Sequence, residues 1–317
     1  MRKISFVIPC YHSARTIGNV VRDIVDTVLA RSEFQYEVIL VNDNPPDDTW
    51  SVICEMCRNN PNIHGICFTK NFGQHAALMA GYRKVTGDIV VSLDDDGQNP
   101  PQEMFKLIDA LNEKTDLVYA KYTQKKRSLI RKFGSKVNDW MVQWLLDKPK
   151  ELYLASYYAA KRFIIDEMVK CENPFPYIDG LALRSTSEYI NVDIVHKERA
   201  AGNSGYSIAK LIGLWMNGLT SFSVKPLRIA TFSGFCISLF GLVLAVIIII
   251  QKLILKDSVS AGWPSIMTVV LILDGAIMIM LGLVGEYVGR IYITMNKNPQ
   301  YVIKDEVNPI PRSSGTS

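Results

Sequence analysis

The chain is 317 residues long, 48% hydrophobic and 21% charged, with a formal net charge of +4. That length permits one large domain or two ordinary ones, and the apolar content supports a packed core and excludes wholesale disorder. The small net charge excludes a dedicated nucleic-acid binder, and six cysteines in a chain of this size exclude a disulfide scaffold. A mean hydropathy of +0.10 conceals a split, because the last third is far more apolar than the rest.

The first apolar run, Ile4 to Ile8, stops at Pro9. It is too short for the core of a secretory signal and reads as a first strand, Ile4 to Pro9. A helical pattern follows from Thr16 to Ala30, a strand from Tyr36 to Asp43, and a helix from Thr49 to Asn59. Cys54 and Cys57 lie inside that helix with no second pair nearby, so they read as buried thiols rather than a metal or redox site. Next come a strand from Ile63 to Thr69, a helix from Gly73 to Val85 and a strand from Asp88 to Leu93. After Pro100-Pro101 a helix runs to Glu113, then a strand from Asp116 to Tyr122. This alternation predicts a mostly parallel sheet with helices on both faces. Beyond it, the basic cluster Lys125-Lys126-Arg127 leads into an amphipathic helix, Ser128 to Leu146, read as a lid or membrane-edge helix carrying Arg131.

The apolar third begins with Ser207 to Phe222, whose helical spacing of apolar residues suggests an interfacial helix. No charge falls between Arg228 and Lys252, and Ser265 to Gly285 holds one, Asp274. Each run reaches the roughly 20 residues that span a bilayer. Lys252 and Lys256 lie between the runs, while Lys210, Lys225, Arg228, Arg290 and Lys297 flank them. The positive-inside rule therefore sets both flanks, and the N-terminal domain, in the cytoplasm. Asp274 is expected protonated or paired at a helix–helix contact. Gly285 and Gly289 have the spacing for close helix approach, and the tail from Asn298 is expected to be loosely ordered. The chain is thus divided into a catalytic domain (1–206), an interfacial helix and linker (207–228), two transmembrane helices (229–288) and a cytoplasmic tail (289–317).

Open α/β sheets bind ligands beyond the carboxyl ends of their strands. Three polar groups fall there: Cys10-Tyr11, Asn42-Asp43 and Asp94-Asp95-Asp96. Neither G-x-G-x-x-G after the first strand nor G-x-x-x-x-G-K-[ST] is present, which disfavours dinucleotide oxidoreduction and P-loop hydrolysis. Three adjacent aspartates repel one another unless a cation compensates. A hard divalent ion such as Mg²⁺ takes one or two carboxylates plus substrate phosphates. Asp94 and Asp96, two apart, point the same way in extended backbone.

The motifs are Val7-Ile8-Pro9-Cys10-Tyr11, Val41-Asn42-Asp43, Asn71-Phe72-Gly73-Gln74, Gly87-Asp88, and Asp94-Asp95-Asp96-Gly97-Gln98-Asn99-Pro100-Pro101. Downstream are Arg199-Ala200-Ala201-Gly202-Asn203-Ser204, Lys225-Pro226-Leu227-Arg228 and Glu286-Tyr287-Val288-Gly289-Arg290. With these the chain resembles glycosyltransferase family 2, and more narrowly its polyprenyl-phosphate glycosyltransferases. That group holds the dolichol-phosphate mannose synthases and the bacterial enzymes that load undecaprenyl phosphate. The resemblance covers nearly the whole chain. It implies an α/β fold of GT-A type, a Rossmann-like mostly parallel sheet followed by a two-helix transmembrane hairpin in a bacterial cytoplasmic membrane. Pro9, Tyr11 and Asp43 would hold base and ribose, and Asp94, Asp95 and Gln98 would lie against the nucleotide sugar. Asp96, with Asp94, would ligate Mg²⁺ or Mn²⁺. Arg199 and Ser204 would bind phosphate. A UDP-sugar donor, a polyprenyl phosphate acceptor and a homotetramer are compatible with it. The residues do not select among glucose, galactose, mannose, N-acetylhexosamine and aminoarabinose.

Three departures stand out. Asn44-Pro45-Pro46 follows Asn42-Asp43 in place of the usual Gly-Ser or Ala-Ser, Gly205 replaces a frequent Lys, and Leu154-Ala155-Ser156-Tyr157-Tyr158 shows no acid where many members carry one. A phosphate acceptor is anionic near neutral pH and needs no strong general base. Its chief requirement is charge management, for which Asp96, Arg199 and Arg131 are the candidate catalytic residues. The rivals are a glycosyltransferase acting on a lipid or polysaccharide hydroxyl, whose processive members usually carry Q-x-x-R-W, absent here; a nucleotidyltransferase, which lacks its glycine-rich loop; and a non-catalytic scaffold, at odds with the intact aspartates.

Overall fold

Apolar runs two to three times the length of a turn, separated by amphipathic helical segments, build the sheet from its centre outward. The computed structural model describes residues 1–44, 46–122, 143, 148–195, 225–254, 262–296 and 298–310. It divides into one unit of Met1–Ser207 with Lys297–Ser317, and a second of Ile208–Asn296.

In the first unit, β1 (Arg2–Cys10) is the central strand, paired in parallel with β2 (Phe34–Asn42) on one side and β4 (Ile89–Ser92) on the other. β3 (Ile63–Phe68) continues the parallel set beyond β2. The crossovers are α1 (Ile17–Leu29), α2 (Thr49–Asn59) and α3 (Gln74–Tyr82). α1 buries Ile17, Val20, Val21, Ile24 and Val28, one stripe at helical spacing. α3 lies closer to the sheet. A Cβ on Gly81 would stand 2.3 Å from Val7 Cγ1, so only glycine admits this approach.

After β4 the chain turns through Pro101–Glu103 into α4 (Met104–Asp109), four residues shorter than the pattern suggested because Glu113 and its neighbours form a tight turn between Asn112 and Thr115. β5 (Leu117–Tyr122), β6 (Tyr158–Lys161), α5 (Arg162–Met168), α6 (Ile178–Ser185) and β7 (Tyr189–Ile194) follow. β6 is antiparallel to both β4 and β5, while β7 is parallel to β5. The order among the described residues is β7-β5-β6-β4-β1-β2-β3-β8.

The last strand, β8 (Ile303–Val307), corrects the expectation of a loose tail: it pairs antiparallel with β3. The Tyr301 ring stacks on Phe68 at 5.1 Å and 11°, and its hydroxyl accepts from Arg83 at 3.0 Å. Lys84 pairs with Glu306 at 2.9 Å, and the Asn308 amide donates to the carbonyls of Cys57 and Ile63. β3 would otherwise be an open edge, which folded sheets avoid.

The second unit contains α7 (Lys225–Ile254) and α8 (Trp263–Met295), each longer than the apolar run that announced it. Within α8, Leu273–Met295 is long and apolar enough to cross a membrane. A Cβ on Gly234 of α7 would lie 3.0 Å from Met280 Cε of α8, whereas Gly285 and Gly289 face open space. Among the described glycines of these two helices, Gly234 is the one that meets the other helix within the chain. Asp274 is exposed on α8 rather than held at a helix–helix contact within the chain. The expected helices at 128–146 and 207–222 lie outside the described residues, save Gln143, which is helical.

The amino ends of the strands are closed by a buried carboxylate. Glu37 accepts from Ser5 Oγ at 2.5 Å and from the Thr86 N–H and hydroxyl at 2.6 Å, and pairs with Lys3 Nζ at 2.5 Å. The Gly87 N–H donates to Ser5 Oγ, and a Cβ there would meet Lys3 O at 2.6 Å. Gly87, one of the motif residues, thus works at the end of the sheet away from the ligand side. Burial pushes the Glu37 carboxyl up, but Lys3, Ser5 and Thr86 together hold it below its ordinary 4.5. Because the folded value is the lower one, this stability is complete above pH 4.5 and is lost as pH falls through the folded value. Glu37→Gln should cost about 1–3 kcal/mol at pH 7 and flatten the acid limb of Tm against pH, read by thermal unfolding in detergent. Removal of residues 300–317 should speed amide exchange along β3 more than along β1, measured by hydrogen exchange.

Candidate active site

The site is assembled where β1, β2 and β4 end. Odd-numbered residues of β1 turn their backbone groups toward β4, as the bond from the Leu93 N–H to Val7 O shows. Pro9 falls two residues beyond, past the last pair with β4, and having no N–H it cannot extend the ladder past Leu93. The chain then breaks away from the sheet. Tyr11 is half-exposed, its ring set edge-on to His12 at 4.5 Å, and His12 takes a φ of +59°.

β2 delivers Asp43. Its two carboxylate oxygens accept the Phe72 N–H at 2.7 Å and the Gly73 N–H at 2.9 Å. Gly73, at φ +91°, precedes the first residue of α3. Asp43 therefore shapes the Asn71-Phe72-Gly73-Gln74 loop from within. Burial raises its pKa despite these two donors. Asn44, which departs from the resembled motif, adopts φ +47° and donates from its amide to Thr69 O at 3.0 Å. Asn tolerates the left-handed region better than other side chains, so the turn keeps a glycine-like path.

β4 delivers the three aspartates, all partly buried. Asp94 accepts Gln74 Nε2 on one oxygen at 3.0 Å and the Ser156 hydroxyl on the other. Asp95 accepts the Tyr11 N–H at 2.9 Å, tying the end of β4 to the turn after β1. Asp96 accepts the Gln98 N–H at 3.0 Å in a tight turn completed by Gly97 at φ +74°. Burial is the main force raising Asp94 and Asp95, the latter to about 6, and like charge from the neighbouring aspartates adds to it. Behind the loop, the Tyr122 hydroxyl donates to Asn99 Oδ1.

At Asp94 and Asp95 burial outweighs the donors supplied, and a divalent cation nearby would offset that cost. Hard oxygen donors suit Mg²⁺ or Mn²⁺. Among the described residues no three ligating side chains converge into a complete protein cage. A cation here would draw further oxygens from substrate, the usual arrangement for Mg²⁺ on a phosphate ligand.

Of the residues expected from sequence, Pro9, Tyr11, Asp43, Asp94, Asp95, Asp96 and Gln98 gather at these strand ends. Arg131, Arg199 and Ser204 lie outside the described residues. Sequence reasoning missed Ser156 as a partner of Asp94, and quoted Gln74 and Asn99 without giving them a task. The signal for Ser156 was available only as a serine in the segment where an acid was sought. Asp95→Ala should free the Tyr11 turn and weaken nucleotide binding at least tenfold, while Asp95→Asn, which keeps an acceptor oxygen, should lose less; equilibrium titration with a nucleoside diphosphate measures both.

Comparison with known proteins identifies the family. The family model described as glycosyl transferase family 2 matches residues 5–168, and one described as GtrB C-terminal hairpin matches residues 225–291. The undecaprenyl-phosphate 4-deoxy-4-formamido-L-arabinose transferase of Sodalis glossinidius (strain morsitans) is 33% identical over 314 residues, covering 98% of this chain and 96% of that protein. The protein of the same name from Klebsiella pneumoniae (strain 342) is 32% identical over 306 residues, covering 96% and 93%. Among solved structures, the crystal structure of a mycobacterial protein aligns with a TM-score of 0.49 at 21% identity, over 69% of this chain and 73% of that one. The chain is a member of glycosyl transferase family 2.

Proposed function

We propose that this protein moves a sugar from a nucleoside diphosphate sugar, a UDP-sugar, to a polyprenyl phosphate at a bacterial cytoplasmic membrane. The observation that carries the reading is the row of carboxylates at the ends of β2 and β4, Asp43 buried and Asp94 to Asp96 partly so, with Asp94 and Asp95 raised in pKa at the ligand side of the sheet. The name shared by the two relatives supports an undecaprenyl phosphate acceptor.

The Tyr11 turn, fixed by Asp95, and the loop shaped by Asp43 bound the nucleoside end of the donor. Asp96 and Asp94 are the residues that would hold the divalent cation. Such an ion supplies Lewis-acid stabilisation of the departing diphosphate. The acceptor phosphate oxygen attacks the anomeric carbon as the bond from that carbon to the diphosphate oxygen breaks, inverting the centre and releasing nucleoside diphosphate. The attacking oxygen carries no proton near neutral pH, so the lack of an acid in Leu154-Ala155-Ser156-Tyr157-Tyr158 is no obstacle. Arg131, Arg199 and Ser204 hold the acceptor against repulsion from the donor.

α7 and α8 cross the bilayer as a hairpin, with the Lys- and Arg-rich flanks and the catalytic unit on the cytoplasmic side. The product is a lipid-linked sugar for cell-surface glycan assembly or modification; a homotetramer is compatible with the family resemblance, and no residue fixes the oligomeric state. Incubation of the detergent-purified protein with undecaprenyl phosphate, Mg²⁺ and each labelled nucleotide sugar in turn should move label from one donor into a mild-acid-labile, organic-phase product. Asp96→Asn should abolish that transfer with Tm unchanged. Label passing instead into a hydroxyl-linked product, or transfer by Asp96→Asn at the parental rate, would overturn the reading.

A further inference from the structure

The segment Ser156-Tyr157-Tyr158 enters β6 at the point where it passes the acidic loop. Its three hydroxyls take three different partners, two of them in the stretch that follows β4. Ser156 donates to Asp94. Tyr157, buried on the opposite face, donates to the carbonyl of Pro100 at 3.2 Å, in the loop that follows the aspartates. Tyr158, buried on the Ser156 face, shares a short hydrogen bond with Tyr82 at the last turn of α3, the helix whose first residue, Gln74, holds the other oxygen of Asp94.

This follows from register. β4 and β6 run antiparallel with Ser92 opposite Tyr158. Continuing that register two residues past the end of β4 brings Asp94 opposite Ser156. Alternation along the strand then turns Ser156 and Tyr158 to the α3 side and Tyr157 to the other. The hydroxyls therefore grip the acidic loop on both faces of the sheet. Only Ser156 touches a carboxylate.

We infer that Ser156 is a positioning residue for the metal-nucleotide site: its hydroxyl, with the Gln74 amide on the opposite oxygen, sets the Asp94 carboxylate in the orientation the divalent cation requires. The inference deepens the proposed glycosyltransferase reading and rests on it. A carboxylate gripped at both oxygens cannot rotate freely, and a carboxylate's two oxygens offer about four acceptor positions, so a ligand can be accommodated beside these donors. Preset orientation lowers the cost of assembling a site from one or two protein ligands plus substrate oxygens. It has no bearing on the nucleoside end, which lies against the Tyr11 turn and the Asp43 loop. Ser156 should therefore matter when metal is present and hardly at all when it is absent.

The test is calorimetric titration of the full-length protein in detergent with uridine diphosphate, with and without Mn²⁺. A second measurement follows loss of the free Mn²⁺ electron-resonance signal in the presence of the nucleotide. The parent should bind the nucleotide more tightly with Mn²⁺. Ser156→Ala should weaken Mn²⁺ binding by about tenfold or more, the worth of one hydrogen bond to a charged group, and leave metal-free nucleotide affinity and Tm as in the parent. Ser156→Thr, which keeps the hydroxyl, should restore most of the loss. Gln74→Ala should also weaken Mn²⁺ binding and serves if Ser156→Ala folds poorly; because Gln74 ends the loop shaped by Asp43, the comparison there is the Mn²⁺ titration alone. Parental Mn²⁺ affinity in Ser156→Ala would overturn the inference, as would equal losses with and without metal, the mark of a merely structural role. A parent that binds no nucleotide with Mn²⁺ would instead remove the proposed function, and this inference with it.

Discussion

A carboxylate taken from water needs hydrogen-bond donors or a counter-charge, because its unpaired burial costs several kcal/mol. The chain sets Asp43, Asp94, Asp95 and Asp96 at the ends of adjacent parallel strands, and much of the local structure answers that requirement. The loop before α3 gives two backbone N–H groups to Asp43. The turn after β1 gives one to Asp95, and α3 and the segment entering β6 each give a side chain to Asp94. The donors come from three separate stretches of sequence, around Tyr11, Phe72-Gly73-Gln74 and Ser156, so the carboxylates staple the strand ends together. Even so, Asp43, Asp94 and Asp95 stay raised in pKa, chiefly by burial.

The opposite end of the sheet treats its acid differently. Glu37 is fully compensated by Lys3, Ser5 and Thr86, and its pKa falls below the ordinary value. Two carboxylate environments on one sheet thus differ in sign: one is complete within the protein, the other is left short.

Much of this was legible in the sequence. The α1 stripe, the runs of β1 and β2 and the acidic loop carry strong local signals, and the strand boundaries fell within about two residues of those observed. What was not legible depends on pairing. β6 has four residues, too few to establish a period, and its partner strands decide which side Ser156 faces. β8 has charged residues at Lys304, Asp305 and Glu306, a composition that fits a solvated tail as well as an edge strand, and only the β3 edge makes it a strand. Gly87 belonged to a motif, and the motif gave no hint that it closes the far end of the sheet. Asn44 was read as a departure, yet its backbone takes the left-handed turn that a glycine would.

The position of β8 also fixes an order of manufacture. β3 ends at Phe68 and its partner begins at Ile303, with α7 and α8 encoded between them. Ribosomes add about 5–20 residues per second, so the β3 edge stays unpaired for tens of seconds after it emerges. During that time the apolar helices must leave the ribosome and find their own surroundings. The sheet becomes complete only after the hairpin has been made, so finishing the catalytic unit reports that the whole chain, hairpin included, has been synthesised.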